Sequence, residues 1–486
     1  MLFLLILFLL FPLFNMSAES IFVDQKAQSN GNGTKEKPFK KIQDALDVAM
    51  PGVTILVAKG VYSENLVVSQ SGIKGKWIEL KAQEKCEVVL DGSKLKVKGS
   101  LDMVYINNIS YFSMRNIEIR NLKATKYEKV VSGISINGLS HHIKLSNLNI
   151  HHIEAKTAKK KKGDAHAIIV RGNSEFPIHQ LSIKNCLIHQ CKLGSSEALV
   201  LNGNVKDFIV AKNHIKDVDN IAIDFIGYEM TCENPLLDYT RDGVCVDNKI
   251  ERVSSKNNPV YRGEKSAGGI YVDGGANIII ERNIVEDCNI GIEIASEHKG
   301  KKASDIIIRN NIIKRSYQSG ILMGGFNKNK GEVHRVRILN NTLIENDLSN
   351  WNMGELGFQY YVIDCIVENN LFIKGERNKE PVYISLTSAK KIPKNLTLNH
   401  NAYFSIKNSG YWQFPKRIKK FNDWIALNNE IKSINLSEYC SNVKAALASD
   451  VLINSGVNRS ENGEYDYNGL KRLIGEGIDI GAVERN

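Results

Sequence analysis

Three carboxylates, Asp224, Asp273 and Glu293, are the residues whose types and spacing could do chemistry. They emerge when a recurring phrase is set in register: GISING from Gly133, AIIVRG from Ala167, ALVLNG from Ala198, AIDFIG from Ala222, GIYVDG from Gly269, GIEIAS from Gly291 and GILMGG from Gly320. The second and fourth positions are apolar throughout, as expected of side chains that fill a core. Alternation along a strand then turns the third and fifth positions outward. The third-position column reads Ser135, Ile169, Val200, Asp224, Tyr271, Glu293, Leu322, and the fifth reads Asn137, Arg171, Asn202, Ile226, Asp273, Ala295, Gly324.

One carboxylate on such a face would be read as a solvated surface group. Three together with an aromatic are expected to be a site. If the strands stack about 4.8 Å apart, Asp224 and Glu293 stand roughly 9–10 Å from each other. That is near the upper end of the roughly 6.5–9.5 Å that separates the acid and base of an inverting glycosidase. Asp273 lies about 8 Å from each by the same geometry. Tyr271 is expected as a sugar platform, and Arg171 or His166 as the partner of an anionic substituent. Asn202 and Glu197 share this face. The insertion at residues 227–244, which leaves directly after AIDFIG, would wall the site and bring Arg241 to it. The outcome is an outer groove lined by carboxylates.

The elements that must hold these residues are short strands in a repeat of about thirty residues. Asparagines before or inside apolar phrases measure the repeat: Asn116, Asn147, Asn185, Asn213, Asn248, Asn283, Asn311, Asn341, Asn370 and Asn401. They are expected to form one column on one bend of successive turns. Asn tolerates the left-handed backbone of a tight bend, and stacked amides can bond to one another up the coil. Several short strands per turn, stacked turn on turn, describe an all-β fold, a parallel β-helix.

At this point the chain resembles the right-handed parallel β-helix proteins of the pectate-lyase-like superfamily, over nearly everything after the N-terminus. The resemblance implies a carbohydrate-active exported protein and leaves the reaction open, because the fold carries lyases, hydrolases, epimerases and non-catalytic adhesins. A lyase would need a cation against a uronate carboxylate, for which Ca²⁺ on Asp224, Asp273 and Glu293 would serve. It would also need a base, such as Arg171, Arg241 or a lysine. No lysine stands in the outward columns, and no Ca²⁺ motif of the family is matched residue by residue. A non-catalytic polysaccharide-binding or cell-surface β-helix protein is the alternative.

The rest of the chain is read around this coil. Residues 1–18 form an apolar run with the features of a secretory signal peptide but no charged start, so an N-terminal anchor is the competing reading. Residues 19–77 are expected as an N-terminal capping module whose helix, near residues 39–49, sets Ile42, Ala45, Leu46 and Ala49 on one face and covers the open end of the coil. Repeats are expected over residues 78–405, and a C-terminal cover and closing segment over residues 406–486. The chain has 64 Lys+Arg against 53 Asp+Glu, a formal charge of +11. After export such a surface favours an acidic polysaccharide over nucleic acid, although part of the excess is the lysine run at residues 159–162. The expectation is a secreted, periplasmic or cell-surface monomer, without nucleic acid and without stable membrane insertion. Eight cysteines do not make a dense disulfide framework. Cys232 and Cys245 bracket the insertion, where a disulfide would fit an oxidising compartment, and the sequence leaves open whether it forms.

Overall fold

The computed structural model describes residues 20–84, 87–386 and 392–485. The expected leader at residues 1–18 lies outside them. Three sheets of 15, 13 and 13 strands run side by side along the molecule. The chain visits sheet one, sheet two and sheet three in turn and returns to sheet one on the next rung, as in Ser110–Arg115, Glu118–Lys123 and Val130–Asn137. All pairings between consecutive rungs are parallel, and the one antiparallel strand pair among the described residues joins Tyr411–Gln413 to Arg417–Ile418. This is a parallel β-helix. The alternation of apolar residues produces it: inward positions such as Ile134, Ile168, Leu199, Ile223, Ile270 and Ile292 stack in one buried column.

The helix expected near the N-terminus is present at Ile42–Val48. It buries Ile42, Ala45 and Leu46 against the first strands of sheets one and three. A full rung formed by Thr54–Val57, Gly60–Tyr62 and Leu66–Val68 precedes Ile78, so the N-terminal segment itself contributes to the coil. At the other end, Trp412 and Trp424 stack at 5.2 Å over Tyr403. The segment that carries them therefore closes the end of the core. The lateral cover comes from later residues. Asn310 Nδ2 donates to the carbonyls of Asn462 and Tyr465, Asn340 Nδ2 to that of Asp479, and Asn369 Nδ2 to that of Val457. The last thirty or so described residues thus cross the outside of three successive rungs.

The asparagine series is two columns, offset by one residue. From Asn213 onward the series is a buried ladder: each Nδ2 bonds the next Oδ1 through Asn248, Asn283, Asn311, Asn341, Asn370 and Asn401, at 2.9–3.2 Å. Asn116, Asn147 and Asn185 stand one position earlier. They are exposed and occupy the left-handed conformation, with φ of 60°, 52° and 55°. The ladder position of their rungs holds Ile117, Leu148 and Cys186. The single column expected from sequence is corrected accordingly. The left-handed residue of a ladder rung is the one before the ladder asparagine, for example Lys212 or Asp247. Two physical roles of Asn, tolerance of positive φ and a bifunctional amide, placed the same residue type at adjacent positions.

Cys232 and Cys245 are not bonded, and the described cysteines are free thiols. Cys245 points into the core of the coil, whereas Cys232 lies in the loop after sheet three with its Sγ 3.3 Å from the Ser174 carbonyl. The loop is closed instead by Asp238, which accepts from the backbone N–H groups of Met230 and Cys232.

Candidate active site

Sheet three holds the expected register. Val200 pairs with Asp224, Asp224 with Tyr271, Tyr271 with Glu293 and Glu293 with Leu322, in one outward column. Arg171 and Asn202 are neighbours in the next outward column, which also holds Asp273 beside Ala295. The three carboxylates are therefore brought to one face.

That face is not an open groove. Asp224, Asp273, Tyr271 and His166 are 2, 4, 6 and 4% exposed. Two loops close over them from opposite edges of the sheet. Residues 227–240 fold back across the preceding rungs, where Thr231 Oγ1 donates to Asn202 Oδ1 (2.7 Å) and Asn202 Nδ2 donates to Glu229 Oε2 (2.8 Å). Gly203 permits this approach: its φ is +79°, and a Cβ there would meet Thr231 at 2.8 Å. Beneath the loop, Ile169, Val200 and Ile226 form a small apolar cluster of their own. From the other edge, residues 254–267 bring Tyr261 toward Glu197 and Glu297. What remains open is a crevice with Glu197 and Glu293 half-buried and Glu229 and Glu297 on its rim. Tyr271 is too enclosed to present its ring as a sugar platform, and that expectation is corrected.

Arg241 does not reach the crevice. It begins the following strand of sheet one, and its guanidinium donates to the Tyr239 carbonyl and to Asn204 Oδ1, both at 3.0 Å. The loop serves the site through Glu229, two residues after the phrase AIDFIG. Nothing periodic marks a residue in an irregular insertion, so the sequence offered no signal for it beyond the length of the loop.

Burial and crowding dominate the electrostatics. Asp224 Oδ1 is buried without a hydrogen-bond partner, and burial followed by repulsion from Glu197, Asp273, Glu229 and Glu293 raises its pKa well above the usual carboxyl range. Asp273 is raised in the same way by burial and Glu297, although the Glu297 N–H donates to its Oδ1 at 2.7 Å. Burial, then Glu297, pushes Glu293 to about 8. Burial, then Glu229, pushes Glu197 to about 8. His166 falls to about 3, from burial and the nearby Arg171. Its neutral imidazole holds Nδ1 3.0 Å from the Glu197 carbonyl, which fixes the proton on Nδ1 and the lone pair on Nε2. Burial lowers Arg171, against the pull of Asp102 and Asp164, and its Nη1 donates to Ser135 Oγ at 3.3 Å. Among the described residues no three His, Cys, Asp or Glu side chains lie close enough together to hold a metal ion.

Comparison with known proteins agrees with the fold. Residues 21–189 match the family model described as Pel9A-like, right handed beta helix region. Over 425 residues the chain is 33% identical to the protein YwoF of Bacillus subtilis (strain 168), covering 87% of this chain and 88% of that one. Over 116 residues it is 29% identical to pectate lyase PEL9 of Emericella nidulans, covering 21% of this chain and 28% of that one. The solved structure of a GH136 lacto-N-biosidase from Eubacterium ramulus superposes with a TM-score of 0.57 at 12% identity, over 80% of this chain and 68% of that one. The likeness to that structure is one of fold. The match to YwoF, 33% identical over most of both chains, shows that the chain belongs to the YwoF family, and its parallel rungs and matching family model set it within the right-handed parallel β-helix proteins of the pectate-lyase-like superfamily.

Proposed function

We propose that this protein is an exported enzyme that hydrolyses a polysaccharide, an acidic one by the charge of its surface, in the crevice of sheet three. The observation that carries the reading is the buried Asp224 carboxyl, unpartnered at Oδ1 and crowded by four further carboxyls, Glu197, Asp273, Glu229 and Glu293. A carboxyl in that setting holds its proton to higher pH than a free one and can deliver it to a glycosidic oxygen as the C–O bond breaks. Glu293, two rungs away at about 9.6 Å by rung spacing, is half-buried, with its pKa pushed up to about 8. In its ionised form it can take a proton from a water attacking the opposite face of the sugar, the arrangement of an inverting hydrolase. His166 and Arg171, on an earlier rung of the same face, are the residues we assign to a charged substituent of the substrate. Export rests on the apolar leader, and the related names above, a pectate lyase and a lacto-N-biosidase, support a carbohydrate substrate.

Elimination is the second reading, favoured by the stretch of identity to pectate lyase PEL9. It would require a base against the C5 proton, for which Arg171, with its pKa lowered by burial, is the candidate on this face. One assay separates the two. Secreted protein is incubated with acidic and neutral polysaccharides, with Ca²⁺ and with chelator, while reducing ends and unsaturated-product absorbance are followed together. Hydrolysis gives reducing ends without the absorbance. Absorbance that appears with Ca²⁺ and disappears with chelator would replace this proposal by the lyase. Binding without either product would leave a polysaccharide-binding protein.

A further inference from the structure

We infer that the N-terminal rungs of sheet one form a second, non-catalytic glycan-binding face that prefers an anionic chain. This face is on a different sheet from the carboxylate crevice and does not depend on its chemistry. Two clefts of about 590 and 520 Å³ meet there at Asp207. Trp77, His141, His142 and His179 line them, in a run of rings from successive rungs that Tyr111 completes from below. Trp77 packs edge-on to Tyr111 at 5.5 Å, Tyr111 stacks on His142 at 4.3 Å, and His141 stacks on His179 at 5.1 Å. The Nδ1 atoms of His141 and His142 lie 2.9 Å apart, a hydrogen-bonding distance that ties the two rings together.

Half-buried rings at outward positions are unusual for a surface that faces only water. Here they repeat at the rung spacing of about 4.8 Å, close to the length of one pyranose unit, so a chain lying along the coil axis would meet a ring at each step. Phe176 extends the floor at 72% exposure. The stacked rings turn their faces to one another, so a glycan would meet their edges, whose polar atoms take hydroxyls, and the open ring of Phe176, which can take the apolar face of a sugar. The charge at the face is supplied by lysines. Lys144 Nζ sits 4.1 Å over the Trp77 ring, and Lys184 and Lys206 border the same clefts. Burial lowers the pKa of His141 and His142, which leaves them neutral. Asp207 is paired with Lys206 at 3.6 Å and Asp242 accepts from Asn277 Nδ2 at 2.8 Å, so the positive charge of the face rests on Lys144 and Lys184. A positively edged aromatic floor fits a uronate-containing or sulfated glycan better than a neutral one.

The test uses the full chain carrying Asp224→Asn, so that turnover does not consume the probe, with polygalacturonate and hydroxyethylcellulose as ligands. Polygalacturonate should bind more tightly than hydroxyethylcellulose. Trp77→Ala and, separately, the exposed Lys144→Glu should each weaken polygalacturonate binding at least about tenfold, which corresponds to about 1.4 kcal/mol. Lys144→Glu should leave thermal unfolding unchanged, so that loss of binding is not loss of fold. Unchanged affinity in both variants, or no binding by the Asp224→Asn chain, overturns the inference. So does a concentration-dependent dimer in sedimentation that Lys144→Glu dissolves, because the face would then be a contact between two copies of the chain. Failure here leaves the crevice chemistry untouched, since that is read from product formation by the unaltered chain.

Discussion

Asp224 and Glu293 stand in one outward column of sheet three with only the Tyr271 rung between them, and both are carboxyls that burial and neighbouring charge hold protonated beyond their usual range. If one donates and the other accepts a proton, Asp224→Asn and Glu293→Gln should each lower turnover at least about a hundredfold, the lower end of what a positioned acid or base contributes. Both substitutions keep shape, so thermal stability should stay the same or rise. Steady-state assays on the best polysaccharide of the panel check this, and full activity in both variants would place the chemistry on another face.

The same column predicts a pH profile. Glu293 must ionise to act as base, so kcat/KM should rise toward the alkaline side, through about 8, and fall again where Asp224 loses its proton. Glu293→Gln should abolish the rising limb. A rate–pH profile of parent and variant decides it.

Stability should move in the opposite direction. A carboxyl whose folded pKa exceeds its unfolded value favours the fold at low pH and loses that contribution as pH climbs. For Glu293 the window runs from the unfolded value of about 4.3 to about 8 in the fold. Between these limits the parent should lose Tm relative to Glu293→Gln as pH rises. Parallel melting curves of the two proteins from pH 5 to 8 test the sign, and a gap that stays constant would show that Glu293 ionises freely.

The two asparagine columns should respond differently to alanine. Asn283 accepts from the Asn248 backbone N–H and Nδ2, and donates to the Cys245 carbonyl and to Asn311 Oδ1. Asn283→Ala leaves several buried groups unpaired and should cost about 2–4 kcal/mol. Asn116 is exposed at positive φ, so Asn116→Ala should cost only about 1 kcal/mol, the left-handed penalty. Chemical denaturation of the two variants separates these values, and equal losses would contradict the offset.

Since Cys232 and Cys245 are separate thiols, reductant should leave Tm unchanged, and alkylation of the denatured, unreduced protein should label both. An intact Cys232–Cys245 peptide in a non-reducing digest would overturn the assignment.

The register of sheet three was legible in the sequence because apolar alternation is strict there: a one-residue slip would have moved Ile223 and Phe225 outward and Asp224 into the core. The carboxylates could be assigned to one face for the same reason. The state of that face could not be read. Its depth depends on the irregular loops at residues 227–240 and 254–267, whose paths are set by single contacts such as Thr231 to Asn202 and leave no period. The exclusion of Arg241 follows from where that loop ends, at the first residue of a sheet-one strand. The asparagine columns were merged because adjacent positions on one bend favour the same residue for different reasons.

The crossing of the C-terminal residues over Asn310, Asn340 and Asn369 makes the coil directional. A solenoid with a free end can fray one rung at a time. Here three successive rungs near that end are held from outside by one segment, so fraying any of them also costs its bonds to the strap. Rungs can be laid down from the N-terminal helix as the chain emerges, but the latch closes only when the final segment arrives. A chain cut near residue 449 would keep every residue of the crevice and lose the fastening.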